Sequence, residues 1–464
     1  MTAHSQKVPR LLFAGTGSGS GKTTVTCAFL LALKKRGLDP AAFKCGPDYI
    51  DPMFHTQVLG VPSRNLDIFL CGEDVVQHLL AINAEPYDMA VLEGVMGLYD
   101  GVGQGSKCSS NHVAVLTETP TVLVVHPKGQ AISLVAELYG YQNFLPNTVQ
   151  GIILNKTSKR MYEFYKEMIE RELGLRVYGY LPAMAEVRMK SQRLGLVPPA
   201  AVAELHKSLE KLALTADETL DMEGLVTLAH TSQPMVFTPP SLPDRISHTT
   251  DANAKRKVRV GVAKDEAFCF YYEDSLALLR LLGAEIIEFS PLHDTALPDN
   301  IDGLLLGGGY QEEYAEKLSC NSTMRASFAH AIKQGLPVIA EGGGFLYLGQ
   351  SFTNEEGAIY PMVGALPNTF TQTHSLQCFG YCTLTAERNN FVCPEGSSFP
   401  AHEFHYTFSD DNGDTFTAAK DNGKKWPCVH TTEHIFAGFP QFHWWGCRDM
   451  AVNFVQACEH YRDR

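Results

Sequence analysis

Directly after the apolar run LLFAG and directly before VTCAFLLALKK, the chain reads TGSGSGKTT from Thr16 to Thr24. A strand, a glycine-rich loop and a helix in that order bring backbone N–H groups together at a helix N-terminus, where they can meet phosphate oxygens. Lys22 adds a positive charge, and the Thr23 hydroxyl suits Mg²⁺. A strict loop of this kind asks for glycine at 16. Threonine stands there instead, with Gly15, Gly17, Gly19 and Gly21 around it, so the loop is a variant. A glycine-rich turn without nucleotide is the other reading.

Acids that could serve a metal come next. Glu93 ends the apolar run MAVLE and precedes GVMGLYDG, where a phosphate-loop protein places a carboxylate near its metal. An acid that only caps the turn at a strand end is the alternative. Asp48 and Asp51, in KCGPDYIDPMFH, follow another apolar run, and in a parallel sheet that end faces the same crevice. Isolated acids in a Pro/Gly loop can equally be turn residues. Three acids beside a phosphate loop point to Mg-nucleotide chemistry more strongly than any one of them.

A second feature is an absence. PVIAEGGGFLYLGQ, residues 337–350, reads as a buried strand entering a helix through a tight glycine turn. Such elbows present a nucleophile at the apex. Here the apex holds Gly342, Gly343 and Gly344.

The elements that position these groups follow from the apolar runs. LLFAG, PAAFK, DMAVLEG, TVLVVH, GIILN and YGYLP alternate with segments of helical length, as βαβ units of a parallel sheet do. The pattern stops near Leu228, and residues 232–257 mix prolines with small polar and charged residues, as a linker does. It restarts with VRVGVA, a helix from Asp274 to Leu282, AEIIEF, GLLLGGG, a helix from Arg325 to Gln334, and PVIAEGGG. The expectation is an α/β protein of two domains, 1–231 and 258–464, joined by that linker.

Composition agrees with a globular enzyme of 464 residues, 45% hydrophobic and 19% charged. A net charge of -13 argues against a non-specific nucleic-acid binder, which needs clustered Lys and Arg. Twelve cysteines without a CxxC indicate neither a zinc ribbon nor a disulfide framework. No apolar run approaches the ~18 residues of a membrane span, and MTAHSQKVPR lacks a signal-peptide core, so a cytoplasmic location is expected.

GTGSGSGKTT, KCGPDYIDPMFH, LEGVMGLYDG, GIILN and RLGLVP, then AKDEAFCFYYED, FSPLHD, LGGGYQEEYA, AEGGGFLYL and HEFHY, resemble in order the cobyrinate a,c-diamide synthase family. The resemblance implies a P-loop amidoligase domain of the dethiobiotin-synthetase kind, followed by a class I glutamine-amidotransferase-like domain. In this family ATP phosphorylates acetate carboxylates of cobyrinic acid, a tetrapyrrole-derived macrocycle of cobalamin biosynthesis, and ammonia released from glutamine converts each acyl phosphate to an amide. Carried onto this chain, Thr16, Gly17, Ser18, Gly19, Ser20, Gly21, Lys22, Thr23 and Thr24 hold ATP. Thr23 and Glu93 serve Mg²⁺, Asp48 meets metal or substrate carboxylate, and Asn155 meets the adenine. Lys22, Asp48 and Glu93 carry the catalysis.

The chain departs from the family at several positions. Gly342 stands where the cysteine nucleophile is expected, between Glu341 and Gly343. Gln441 aligns with the activating histidine, His126 replaces an aspartate, and Gln311 stands at the proline position of the GGGYPE motif that holds the oxyanion donors Gly308 and Gly309. Glycine supplies no thiolate, so loss of the glutaminase is expected, with free ammonia or a separate glutaminase as the nitrogen source. Cys320, Cys378 and Cys382 lie outside the elbow and read as structural. AKDEAFCFYYED, HEFHY and FHWW are aromatic stretches that suit a flat macrocycle or, equally, a core. Siroheme or nickel-sirohydrochlorin are alternative macrocycles, a non-catalytic ATP and tetrapyrrole binder is the alternative function, and a homodimer is open.

Overall fold

The computed structural model describes residues 4–184, 199–242 and 256–464. The chain divides into two compact units, Met1–Pro240 and Ser241–Arg464.

In the first unit, β1 (Arg10–Gly15), β2 (Pro40–Cys45), β3 (Ser63–Leu66), β4 (Met89–Glu93), β5 (Thr121–Val125), β6 (Val149–Asn155) and β7 (Arg176–Leu181) form one parallel sheet in the order β3-β2-β4-β1-β5-β6-β7. Every residue of β1, β2, β4 and β5 is buried, as a sheet covered on both faces requires. Even Arg10 is buried. Its guanidinium donates to the carbonyls of Thr117 at 2.8 Å, Val8 at 2.9 Å and Gln233 at 3.0 Å, so the charge has partners where water is excluded. With β4 on one side and β5 on the other, β1 is the central strand, and the loop 16–21 leaves its carboxyl end to enter α1 (Lys22–Lys35).

Ser232 and the residues just after it belong to this unit rather than to a linker. The Ser232 hydroxyl donates to the Arg10 carbonyl at 3.2 Å, and Met235–Phe237 pairs antiparallel with His4–Gln6. Met235 and Phe237 are buried while Val236 is exposed, a period of two hidden among the flanking prolines and polar residues. Residues 243–255 of the expected linker, and the RLGLVP stretch at 193–198, lie outside the described residues.

In the second unit, β8 (Val258–Ala263), β9 (Ala284–Phe289), β10 (Gly303–Leu306) and β11 (Val338–Glu341) are parallel. Helix α2 (Gly343–Leu348) follows β11. Further along lie β12 (Cys378–Ala386), β13 (Ser398–His405), β14 (Phe416–Ala419), β15 (Lys425–Cys428), β16 (His430–Thr431) and β17 (Ile435–Gly438). The main sheet runs β9-β8-β10-β11-β17-β16, with β16 antiparallel. Residues 351–428 add two four-stranded sheets, one of them β13-β12-β14-β15, that the sequence reading left inside a single α/β unit.

Candidate active site

Each turn of the loop 16–21 has a visible cause. Gly19 at φ 78° and Gly21 at φ 95° sit in the left-handed region that glycine occupies freely. A Cβ on Gly21 would lie 1.8 Å from Asn155 Nδ2. Asn155, buried at the end of β6, donates that Nδ2 to the Ser20 carbonyl at 2.9 Å, so it fixes the loop from beneath. The Tyr141 hydroxyl donates to the Thr16 carbonyl at the other end of the loop. Ser18 and Gly19 form its exposed outer turn, and Ser20 is buried.

Lys22 and Thr23 open α1. Lys22 Nζ donates to the carbonyls of Gly17 at 3.2 Å and of Met96. Burial, and then the like charge of Lys44, lower its pKa. The Thr23 hydroxyl donates to Glu93 Oε1 at 2.5 Å. Glu93 is wholly buried at the end of β4, and Lys44 Nζ, from β2, reaches the same Oε1 at 2.9 Å and Asp51 Oδ2 at 2.5 Å. Asp48 stands back, half-exposed, 4.0 Å from Lys44 Nζ, and its Oδ1 accepts from the Ile50 N–H at 2.8 Å. Thr23, Glu93 and Lys44 are thus brought together, with Asp51 joined through Lys44 and Asp48 at the rim.

The charges are strongly coupled. Burial, the largest single influence, would raise the Glu93 pKa, but the Lys44 ammonium, His55 and Thr23 together outweigh it and hold the carboxyl below its ordinary range. Burial, then the Glu93 charge, push Asp51 up to about 8 against the pull of Lys44. Lys44, although buried, stays protonated because Glu93, Asp51 and Asp48 surround it. A half-buried hydroxyl and carboxylates at the mouth of a phosphate loop are hard oxygen donors, and Thr23 and Glu93 lie together there with the half-exposed Asp48 at the rim. This donor set fits Mg²⁺.

The sequence reading did not single out Lys44. A lysine closing an otherwise apolar strand, PAAFKC, was the available signal, since an unpaired charge is expensive in a buried strand.

The elbow of the second unit is present in full. Gly342 has φ 56° and ψ -120° between β11 and α2, and its N–H donates to the Gly438 carbonyl at 2.9 Å. A Cβ built there would meet Gln441 Nε2 at 2.7 Å, and one on Gly308 would meet the same Nε2 at 2.7 Å. Gln441 is anchored by paired backbone bonds to His402, of 2.8 and 2.9 Å. Gly309 is pressed against the neighbouring strand, where a Cβ would lie 1.9 Å from the Ala267 carbonyl oxygen. Gln311, fully buried, donates to the Gly307 carbonyl at 3.0 Å and crowds Gly343. Two glutamine amides therefore line the elbow.

Cys320, Cys378 and Cys382 lie on other elements than the elbow. Burial, with Glu403, pushes Cys378 up to about 12 and Cys382 higher still, against the needs of an attacking thiolate. Cys320 ends the short helix Ala315–Cys320 on the surface. Among the aromatic stretches, Trp444 and Trp445 are buried, as are Phe268 and Tyr272, so these are core residues. Phe404 and Tyr406 are exposed.

Fold and site together define a P-loop nucleotide-binding unit followed by an amidotransferase-type unit. Residues 11–196 match the CobQ/CobB/MinD/ParA nucleotide binding domain, and residues 259–440 match the CobB/CobQ-like glutamine amidotransferase domain. The chain belongs to the cobyrinate a,c-diamide synthase family. It is 37% identical over 456 residues to the cobyrinate a,c-diamide synthase of Caldanaerobacter subterraneus subsp. tengcongensis, covering 97% of this chain and 98% of the relative. It is 36% identical to that of Priestia megaterium, over 97% of both chains, and 34% identical to that of Thermoplasma volcanium, over 98% of both. Among the described residues no helix is long and apolar enough to cross a membrane.

Proposed function

We propose that this chain is an ATP-dependent carbon–nitrogen ligase of cobalamin biosynthesis that amidates the a and c acetate carboxylates of cobyrinic acid, and that its nitrogen comes from free ammonia or from a separate glutaminase. The observation that carries the reading is the assembly of Lys22, Thr23, Lys44 and Glu93 at the carboxyl ends of three adjacent strands.

The loop amides and Lys22 bind the triphosphate, and Thr23, Glu93 and Asp48 are the residues that would hold Mg²⁺. Bound there, the ion supplies charge neutralisation on the phosphate oxygens. A substrate carboxylate oxygen attacks the γ-phosphorus, the bond to the β-phosphate oxygen breaks, and ADP leaves. Lys22 and Lys44 stabilise the negative charge on the transferred group. Ammonia then adds to the acyl carbon, phosphate departs and the nitrogen loses a proton, leaving the carboxamide. Asn155 serves this site by holding the loop, and its contact with adenine is part of the same proposal.

Gly342 supports the nitrogen source, because the elbow offers no thiolate to open glutamine. The test incubates the chain with ATP, Mg²⁺, cobyrinic acid and either ammonium chloride or glutamine. Expected are macrocycle-dependent ADP and a diamide with ammonium, rising with pH as free ammonia increases, and no glutamate from glutamine. Absence of macrocycle-dependent ADP would overturn the ligase reading. Stoichiometric glutamate would overturn the nitrogen reading alone.

A further inference from the structure

His55 lies on the helix Ile50–Gln57 that follows β2, and its side chain is completely buried. Both ring nitrogens face polar atoms. Nδ1 lies 3.3 Å from Ser63 Oγ, on β3, and Nε2 lies 3.4 Å from Glu93 Oε2. Neither Nε2 nor Oε2 makes any other hydrogen bond, and both residues are shut off from solvent. A buried N–H and a buried carboxylate oxygen without partners each carry a desolvation penalty, so two such atoms set face to face satisfy each other or nothing does.

We propose that His55 is the positioning residue for Glu93. The opposite carboxylate oxygen, Oε1, is already taken by the Thr23 hydroxyl and Lys44. His55 holds Oε2, the oxygen that Thr23 and Lys44 do not reach, and so fixes the rotation of the carboxylate plane. Ser63 completes the relay: with its hydroxyl donating to Nδ1, the ring proton must sit on Nε2, facing Glu93. Carboxylates that bind metal depend on such outer partners, whose loss weakens metal binding by about 10–100-fold. The inference rests on the proposal that Glu93 serves Mg²⁺.

The test follows Mg²⁺ binding rather than turnover. The thermal shift given by ADP is measured against Mg²⁺ concentration for the wild-type chain, for His55→Phe and for His55→Gln, whose Nε2 can replace the lost donor. His55→Phe is expected to raise the Mg²⁺ midpoint about 10-fold or more while the shift given by ADP in EDTA stays within twofold. His55→Gln is expected to recover most of the loss. A wild-type chain whose ADP shift ignores Mg²⁺ would overturn the metal reading of Glu93, whereas a wild-type response with an unchanged midpoint in His55→Phe would overturn the role of His55. Should His55→Phe fail to fold, ¹⁵N-histidine labelling of the native chain decides, with the His55 signal assigned from His55→Gln. A proton on Nε2 supports the relay, and a proton on Nδ1 overturns it.

Discussion

Gly342→Cys, alone and with Gln441→His, tests what the empty elbow retains. A non-glycine residue at φ 56° costs about 1–3 kcal/mol. A Cβ there meets only the far end of the Gln441 side chain within 3 Å, and its next neighbours, Gln441 Cδ and Gly308 Cα, lie at 3.6 Å, an ordinary contact. Loss of glycine's freedom in the unfolded chain returns about 0.4–1 kcal/mol. The net destabilisation is therefore about 1–2 kcal/mol, and for a unit of this size that lowers Tm by roughly 2–8 °C. Scanning calorimetry measures it. Glutamate release from glutamine should stay at background in the single variant, because an amide at 441 cannot take the thiol proton, and should become measurable in the double variant, where the imidazole springs from a backbone pinned to His402. A fall in Tm above about 12 °C, or glutaminase activity in the single variant equal to that of the double, would refute the geometry argued here.

Three further outcomes are expected. Lys22→Ala should abolish macrocycle-dependent ADP formation while the Tm of the first unit changes by a few degrees at most; measurable turnover would remove Lys22 from the phosphate site. Lys44→Met should destabilise the first unit by about 3–5 kcal/mol at pH 7.5, because the buried Glu93 carboxylate loses its cation, and by less at pH 5, where the unpaired carboxyl takes up a proton; urea unfolding at both pH values checks this. Glu341 is pushed up to about 8 by burial, against the Phe442 N–H, so it keeps its proton in the folded chain when the unfolded chain has lost it. Stability from that proton is full below about pH 4.5 and is lost as pH rises toward 8, so Glu341→Gln should flatten the decline of the second unit between pH 5 and 8; an unchanged slope would refute it.

The parts of the fold legible in the sequence were those with a strong local period. LLFAG, TVLVVH and GIILN are apolar without interruption because both faces of the sheet are covered, and each is a strand of the central sheet. Short strands such as Met235–Phe237 and Ser351–Thr353 carry only one and a half turns of a two-residue period, too little to stand out against prolines and loops. At the phosphate site the loop was readable because its glycines are forced by geometry, Gly21 by Asn155 and Gly19 by its φ. The partners Lys44 and His55 were not, since a lysine and a histidine acquire meaning only when β2 and the helix after it bring them to Glu93 from 49 and 38 positions away.

The two units answer differently to the loss of a key group. At the phosphate site Lys44, Asp51 and Glu93 are buried against one another, so losing one of them leaves a buried polar or charged group without its partner. At the elbow the nucleophile position projects from a strained backbone, and replacing it with glycine removes strain instead of creating a void, because Gln441 Nε2 already fills the space. A glycine at 342 therefore costs little in stability, and β11, α2 and the core around Phe345 and Tyr347 are formed around it. The shape of the elbow can outlast its chemistry, whereas the shape of the phosphate site cannot.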